Sequence, residues 1–150
     1  MSIDKDIKQS TFRNEYQRAL INLIFTYNWT IEQLKSFLDK EDLTMQQFNI
    51  LRILRGSPTP ISTLQIRDRM LDKMSDTSRI VDRLIIKNLV KKVTCKTDKR
   101  LVDVTITDKG RKTLLKIDEQ ADIMDRVLSS LSVPEAKKLN KLLDKIRQSN

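Results

Sequence analysis

Residues 97–110 read TDKRLVDVTITDKG, a strand pattern in a chain whose periodicity is otherwise mostly helical. Val102, Val104 and Ile106 alternate with polar residues, which is the period-two pattern of a half-buried β-strand. We expect these three side chains to anchor the strand to the core. Thr107, at the end of the pattern, is expected to cap the helix that follows.

A partner strand is expected just upstream, where Val90, Val93 and Cys95 are apolar. The two strands predict a β-hairpin with an apolar face toward the core and a polar face free to meet a partner. Cys95 shares its strand phase with Val93, so we expect it to point inward and behave as a small hydrophobe. The tip of the hairpin is the charged segment DKR at 98–100.

Two helix starts precede the hairpin, each marked by a Ser or Thr with a Gln three residues later, the pattern of a capping box. The pairs are Thr44 with Gln47 and Ser62 with Gln65. They predict helices over 44–55 and 62–70. The segment RGSPTPIS between them ends the first helix, because proline has no amide donor and restricts the residue before it.

A third helix is expected from its cap Ser75 to about Asn88, where SDTSRIVDRLIIKN has apolar residues at helical spacing. When successive residues are placed 100° apart around the helix axis, five residues fall on the opposite, outward face of this helix. They are Ser75, Arg79, Asp82, Arg83 and Ile86. The turn before this helix, MLDKM at 70–74, lacks the glycine that such turns often contain. The turn can therefore be longer, and the first residue of the third helix is defined only to within one or two positions of Ser75.

Longer helices are expected at both ends of the chain. Between Phe12 and Leu38 apolar residues cover more than one side, so this helix needs partners on two sides. The pattern then predicts a long helix over 107–131 and a last helix over 133–147, which begins with a capping box at Ser132. We infer a second subunit that packs against the first helix and the leucine stripe of the last.

Composition excludes several kinds of chemistry. The chain has one cysteine and no histidine, so the usual zinc ligand sets and Ser-His or Cys-His nucleophiles cannot be assembled. Its carboxylates are scattered among lysines instead of being paired in apolar surroundings. We therefore expect no enzyme, no metal and no cofactor. Without a secretory signal pattern or a membrane-length apolar run, the protein is expected to be soluble and cytoplasmic.

Positive charge is concentrated in one part of the chain. Residues 79–112 contain eleven basic and four acidic residues, a balance of +7, whereas the whole chain carries +9. A solvated lysine-rich face is the ordinary explanation of such a cluster. Here the cluster covers the third helix and the hairpin, which is the footprint expected of a protein that neutralises DNA phosphates.

Three helices followed by a hairpin with a basic tip resemble the winged helix-turn-helix of the MarR family of bacterial transcriptional regulators. The resemblance is carried by MSDTSRIVDRLIIKNLVKK at 74–92 and by DKRLVDVTITDKG at 98–110. The second segment is similar to the family pattern DxRxxxVxLTxxG, with Ile106 in the Leu position. Long terminal helices, which that family uses for dimerisation, extend the resemblance over nearly the whole chain.

The resemblance implies a fold that is mainly α with a small β-hairpin, a winged helix-turn-helix with long N- and C-terminal dimerisation helices. We expect a single domain over 1–150, as the length also suggests. Its DNA-binding lobe would span about 43–110, and its dimerisation helices about 6–38 and 111–148. The resemblance implies that the protein is a homodimeric transcriptional regulator that binds a pseudo-palindromic operator in double-stranded DNA. We expect it to act as a repressor.

The resemblance also gives the hairpin tip a mechanism. Arg100 is expected to insert into the minor groove, where the planar guanidinium fits a narrow and negative channel. Asp98 would hold that guanidinium in place, and Lys99 would contact phosphate.

On the third helix, Arg79 and Arg83 are expected to reach base edges or phosphates in the major groove. Ser75, Thr77 and Ser78 suit phosphate contacts beside exposed helix amides. The alternative for these three hydroxyls is structural: Ser75 caps, Thr77 packs, and Ser78 closes a local hydrogen bond.

Two hypotheses concern control by small molecules. In the family resembled, aromatic effectors often bind between the dimerisation helices and the DNA-binding lobe, and Phe12, Tyr16, Tyr27 and Trp29 would line such a pocket. The favoured alternative makes them core and dimer contacts, because aromatic stripes on a helix usually pack. Oxidant sensing through Cys95 is disfavoured, since some relatives sense through a cysteine near the first helix and this helix has none.

The main alternative function is a protein-interaction adaptor whose winged helix docks an acidic partner without sequence-specific DNA binding. An adaptor would carry the same basic hairpin. The two hypotheses differ in whether a palindrome is enriched from random DNA.

Overall fold

The computed structural model describes residues 2–94 and 102–148. The chain divides into two compact units, Met1–Asp118 and Glu119–Asn150. The first unit contains α1 (Ile3–Asp6), α2 (Glu15–Leu38), a 3-10 turn (Asp39–Glu41), α3 (Met45–Arg55), β1 (Ile61–Ser62), α4 (Thr63–Arg69), α5 (Thr77–Ile86), β2 (Val90–Thr94), β3 (Val102–Ile106) and α6 (Asp108–Asp118). The second unit contains α7 (Ala121–Arg126) and α8 (Val133–Arg147).

Three antiparallel strands form one sheet in the order β1–β3–β2. The predicted hairpin is confirmed, with Val90 opposite Ile106 and Lys92 opposite Val104. Strand β1 was not predicted, because two residues are too few to show a period. Its Ile61 lies opposite Val104 and is buried, so β1 covers the free edge of the hairpin close to α4.

The apolar face of the hairpin is narrower than predicted. Val104 and Ile106 are buried, but Val102 is 51% exposed at the outer end of β3, so the expectation that it anchors the strand is wrong. Val93 lies opposite Asp103 and therefore points to the side of the sheet that Val104 does not use. Cys95, whose inward orientation was inferred from Val93, lies outside the described residues.

The predicted capping boxes at Thr44 and Ser62 are confirmed. The Gln47 amide donates to Thr44 Oγ1 at 3.2 Å, and the Thr44 amide donates back to Gln47 Oε1 at 3.2 Å. Ser62 and Gln65 make the same pair of contacts at the start of α4. These reciprocal bonds satisfy amides that would otherwise lack partners, which fixes where each helix begins.

The last helix also begins where predicted. The Ser132 amide and hydroxyl donate to Glu135 Oε2 at 2.8 Å and 2.7 Å. These hydrogen bonds favour the charged carboxylate and hold the pKa of Glu135 below its ordinary value.

The start of the third helix differs from the prediction. Asp76, rather than Ser75, caps α5, since its Oδ1 accepts the Arg79 amide at 3.2 Å. The Ser75 hydroxyl instead donates to the Asp72 carbonyl at 2.8 Å and closes the preceding turn. A carboxylate at the cap also interacts favourably with the positive end of the helix dipole.

The long helix predicted over 107–131 is broken into α6 and α7. The break follows Asp118, the last residue of α6. Asp118 is also drawn into an ion pair with Arg55 at the end of α3. The first long helix is likewise shorter than predicted and begins at Glu15, where Asn14 Oδ1 accepts the Gln17 amide at 2.9 Å.

The core of the first unit is formed by α3, α4, α5, the sheet and α6. Its fully buried side chains include Ile50, Leu51, Ile66, Leu84, Val104 and Leu114. They come from all these elements, so the position of α5 is fixed on its inner side by packing.

Candidate nucleic-acid interface

Helix α5 buries one face and presents the other to solvent. Val81 and Leu84 are fully buried, whereas Arg79, Arg83 and Ile86 are exposed. This is the orientation that the helical spacing predicted. Two guanidinium groups thus project from a helix whose other face is packed in the core. This arrangement suits contacts to phosphates or to base edges in a major groove.

The hydroxyl residues at the start of α5 are not equivalent. Ser78 is exposed, and Ser75 is half-buried in the turn. Thr77 is 4% exposed and, within the described part of the chain, its Oγ1 has no hydrogen-bond partner. Its side chain therefore does not reach the surface, so the structure favours packing over the predicted phosphate contact for Thr77.

A shallow recess of about 210 Å³ lies at this end of α5 and brings in a residue that the sequence reasoning missed. Arg67 of α4 lines it together with Ser75 and Ser78. Thr63, four residues before Arg67 on α4, lines the same recess. The helix-turn-helix resemblance implied that α4 lies beside α5, but no pattern within α4 indicated that Arg67 faces the start of α5.

The two long flanks of α5 differ in charge. Along one flank Arg79 and Arg83 line a recess with Gln46 of α3. Along the other, Asp82 forms an ion pair with Lys92 of β2, with Lys92 Nζ 2.9 Å from Asp82 Oδ1. The basic flank faces the start of α3, and the ion-paired flank faces the hairpin.

Lys87 ties the end of α5 to the segment that follows α2. Its Nζ lies 3.0 Å from Asp42 Oδ2 and 3.3 Å from Gln47 Oε1. Its carbonyl accepts a hydrogen bond from Lys109 Nζ at 2.9 Å. Asp42 has a positive φ of 52°, a conformation that Asp tolerates better than most residues. The orientation of α5 is thus linked to the junction between α2 and α3.

The predicted hairpin-tip residues Asp98, Lys99 and Arg100 lie outside the described residues. Their roles stay predictions. The described parts of β2 and β3 lead to them from Thr94 and Val102, at the end of the hairpin away from the core.

A cavity of about 510 Å³ lies within the first unit, between α2, α3 and the turn after α4. Of the four aromatic residues predicted for a ligand pocket, Tyr27 lines this cavity. Phe12 precedes α2, where the Arg18 guanidinium lies 5.8 Å from its ring centre. Tyr16 and Trp29 are exposed on α2 and are not among the residues that line the cavity.

The remaining walls of the cavity were not predicted. They include Ile31, Lys35, Met45, Asn49, Met70 and Lys73. Asn49 is 7% exposed, and its Nδ2 donates to Met70 Sδ at 3.6 Å. The sequence signal was an Asn on the buried face of a helix, a polar group that requires a partner inside.

Within residues 2–94 and 102–148, no group of three or more acidic or cysteine side chains could hold a metal ion. In the same part of the chain, no helix is both long and apolar enough to span a membrane.

Known proteins share this arrangement of helices and strands. The MarR family model matches residues 43–102. The HTH-type transcriptional regulator TcaR of Staphylococcus aureus (strain Newman) is 29% identical over 120 residues, which cover 78% of each chain. A MarR transcription factor from Planctomyces limnophilus is 32% identical with a TM-score of 0.67, over 89% of this chain and 98% of that chain. A mutant MarR from E. coli complexed with operator DNA shares the fold, with a TM-score of 0.78 at 23% identity, over 91% and 99% of the two chains.

The three-helix lobe, the three-stranded sheet and the exposed arginines of α5 define a winged helix-turn-helix, the architecture of a DNA-binding transcriptional regulator. The chain belongs to the MarR family.

Proposed function

We propose that the protein is a homodimeric repressor that binds a pseudo-palindromic operator, with α5 of each subunit in a major groove. The observation that carries this proposal is the exposure of Arg79 and Arg83 on the outward face of a helix whose other face is buried. Ser78 and the recess containing Arg67 are suited to backbone phosphates beside the start of the same helix. The hairpin tip, through Arg100 held by Asp98 and through Lys99, would contact the flanking DNA. Repression follows where the operator overlaps a promoter.

Exposed apolar residues support the homodimer. On α2 the single chain leaves Tyr16, Leu20, Ile24 and Tyr27 more than half exposed, the highest being Tyr16 at 87%. On α8 the single chain exposes Leu139, Leu142 and Ile146. A second copy of the chain offers the same two apolar helices, so each can be covered in a symmetric, self-complementary interface.

A selection of bound duplexes from a random DNA pool tests the function. We expect a palindromic sequence whose half-sites are about one helical turn apart, because a two-fold symmetric dimer presents two copies of α5 at that spacing. The measurement is the sequence enrichment after several rounds. Enrichment of an asymmetric site would contradict the homodimeric arrangement, and absence of any enrichment would favour the protein-interaction adaptor.

The cavity in the first unit supports control by a small molecule. It has the size of a ligand site, and it combines apolar walls from Ile31 and Met45 with the polar ends of Lys35, Asn49 and Lys73. Thr44 and Asp39 also line it, on either side of Asp42, to which Lys87 of α5 is bound. A ligand that shifts this junction would change the orientation of α5. We propose a small aromatic effector, with Tyr27 as the aromatic contact.

Replacing Met45 by Trp is expected to fill the cavity and abolish stabilisation by such an effector. Binding at a hundredfold excess over Kd stabilises a folded protein by about 2.7 kcal/mol, so phenolic compounds that bind the wild type should raise its Tm by several degrees. Met74→Trp is the matched control, since Met74 is 93% exposed and does not line the cavity. Met74→Trp should keep the ligand-induced Tm shift, and a shift that persists in Met45→Trp would place the ligand elsewhere.

A further inference from the structure

One acidic side chain stands on the part of α5 that would approach DNA. Asp82 lies between Arg79 and Arg83 in the sequence and is exposed, as they are. A carboxylate near the phosphate backbone repels it, and like charges brought together at an interface are costly. The presence of Asp82 on this face therefore needs an explanation beyond charge attraction.

The surroundings of Asp82 are those of an anion site. A cleft of about 220 Å³ between α5, α4 and the hairpin is lined by Thr63, Ser78, Asp82 and Lys92, with Val102 and Val104 closing its apolar side. Two hydroxyl groups and one ammonium group would suit a phosphate oxygen. Instead, Lys92 forms an ion pair with Asp82, with Lys92 Nζ 2.9 Å from Asp82 Oδ1.

Both members of this ion pair are accessible, with side-chain exposures of 51% for Lys92 and 58% for Asp82. An exposed pair of this kind adds little to folding stability. Lys92 can therefore exchange its partner for a DNA phosphate at little structural cost.

We infer that Asp82 is a specificity-determining residue that competes with DNA backbone phosphates for Lys92. Phosphate contacts carry no base information, and binding to an arbitrary sequence depends on them alone. On an operator, base contacts fix the position of α5, and in that position Lys92 keeps Asp82 as its partner. The carboxylate therefore weakens non-specific binding more than operator binding. This inference rests on the proposed function.

The test compares Asp82→Asn with the wild type on the selected palindrome and on a scrambled duplex of the same length. Asp82→Asn should strengthen binding to the scrambled duplex by about threefold to tenfold and change operator binding less. Freed Lys92 would then neutralise one more phosphate in each subunit. The slope of log K against log salt on the scrambled duplex should therefore steepen by about 1 for each subunit.

Two further variants separate charge competition from other effects. Lys92→Gln should make Asp82→Asn silent, since the double variant has no ammonium group to release. Asp122→Asn removes an equal charge from the exposed Asp122–Arg126 pair of α7 and should leave the affinity ratio unchanged. Both variants are made in the whole 150-residue chain, and a Tm equal to that of the wild type establishes that each is folded.

Three results would overturn the inference. They are an unchanged ratio of operator to scrambled affinity in Asp82→Asn, an equal effect of Asp122→Asn, and a loss of operator affinity with an altered preferred base, which would make Asp82 a direct reader of cytosine. Failure of the proposed function is distinguishable, because the wild type itself would then show no preference for any sequence.

Discussion

Replacing Arg79 and Arg83 together by alanine is expected to weaken binding to the selected operator by at least about 100-fold. Each arginine that contacts a base edge is worth roughly 1–3 kcal/mol, and a symmetric dimer loses each contact twice. Both side chains are exposed on a helix fixed by buried Val81 and Leu84, so their loss should not disturb the fold. The measurement is the operator Kd at fixed salt, with Tm as the check on folding.

The single variants distinguish what each arginine contacts. If Arg79 reads a base, Arg79→Ala should relax the preference at one position of each half-site. If it contacts phosphate, binding should fall uniformly across sequences and the salt slope should decrease by about 1 per subunit. Arg126→Ala is the control for charge, as Arg126 lies on α7 and is exposed in an ion pair. If the double variant bound the operator with nearly the affinity of the wild type, α5 would not be part of the DNA interface.

Local chemistry made much of the fold predictable. The capping boxes at Thr44, Ser62 and Ser132 each involve residues within three positions, and all three predicted the first turn of the observed helix. The outward face of α5 was also predicted, because exposure on a helix follows the angular position of each residue. The same reasoning failed at Ser75, where Ser75 and Asp76 are both good caps and only the geometry of the turn from Met70 decides between them.

The errors have a common cause in contacts between residues distant in the sequence. Strand β1 exists because Ile61 meets Val104, and neither segment indicates the other. The break after Asp118 is accompanied by an ion pair with Arg55, which lies on a different helix. For the site, the pairing of Asp82 with Lys92 crosses from α5 to β2 and has no signature in either segment. Periodicity predicts which face of a helix or strand is buried, but it does not predict which other element packs against that face.

Gly110 lies at the junction of the hairpin with α6. Thr107 caps α6 as predicted, since its Oγ1 accepts the Gly110 amide at 3.1 Å. The Thr107 hydroxyl and amide in turn donate to the carbonyls of Asn88 and Leu89, at 2.8 Å and 3.1 Å. These bonds draw the first turn of α6 against the segment between α5 and β2. Any side chain at Gly110 would have to fit into that contact.

Gly110→Ala is therefore expected to destabilise the protein by about 1–3 kcal/mol and to lower Tm by about 3–10 °C. A Cβ at this position would lie 2.3 Å from the Leu89 carbonyl oxygen and 2.7 Å from Ile106 Cγ1. The nearer atom belongs to the backbone and already accepts the Thr107 amide, so it cannot move without loosening the junction. Thermal unfolding followed by circular dichroism gives the change in Tm.

Gly56→Ala is the matched control, with the same added methyl group. Gly56 follows α3 with φ −78° and ψ −4°, which alanine adopts without strain, and its Cβ would lie 3.5 Å from the Arg52 carbonyl oxygen. Restricting the unfolded chain at such a position should stabilise the protein by roughly 0.4–1 kcal/mol. The two alanine variants are thus expected to shift Tm in opposite directions. Equal shifts would mean that α6 does not press on Leu89.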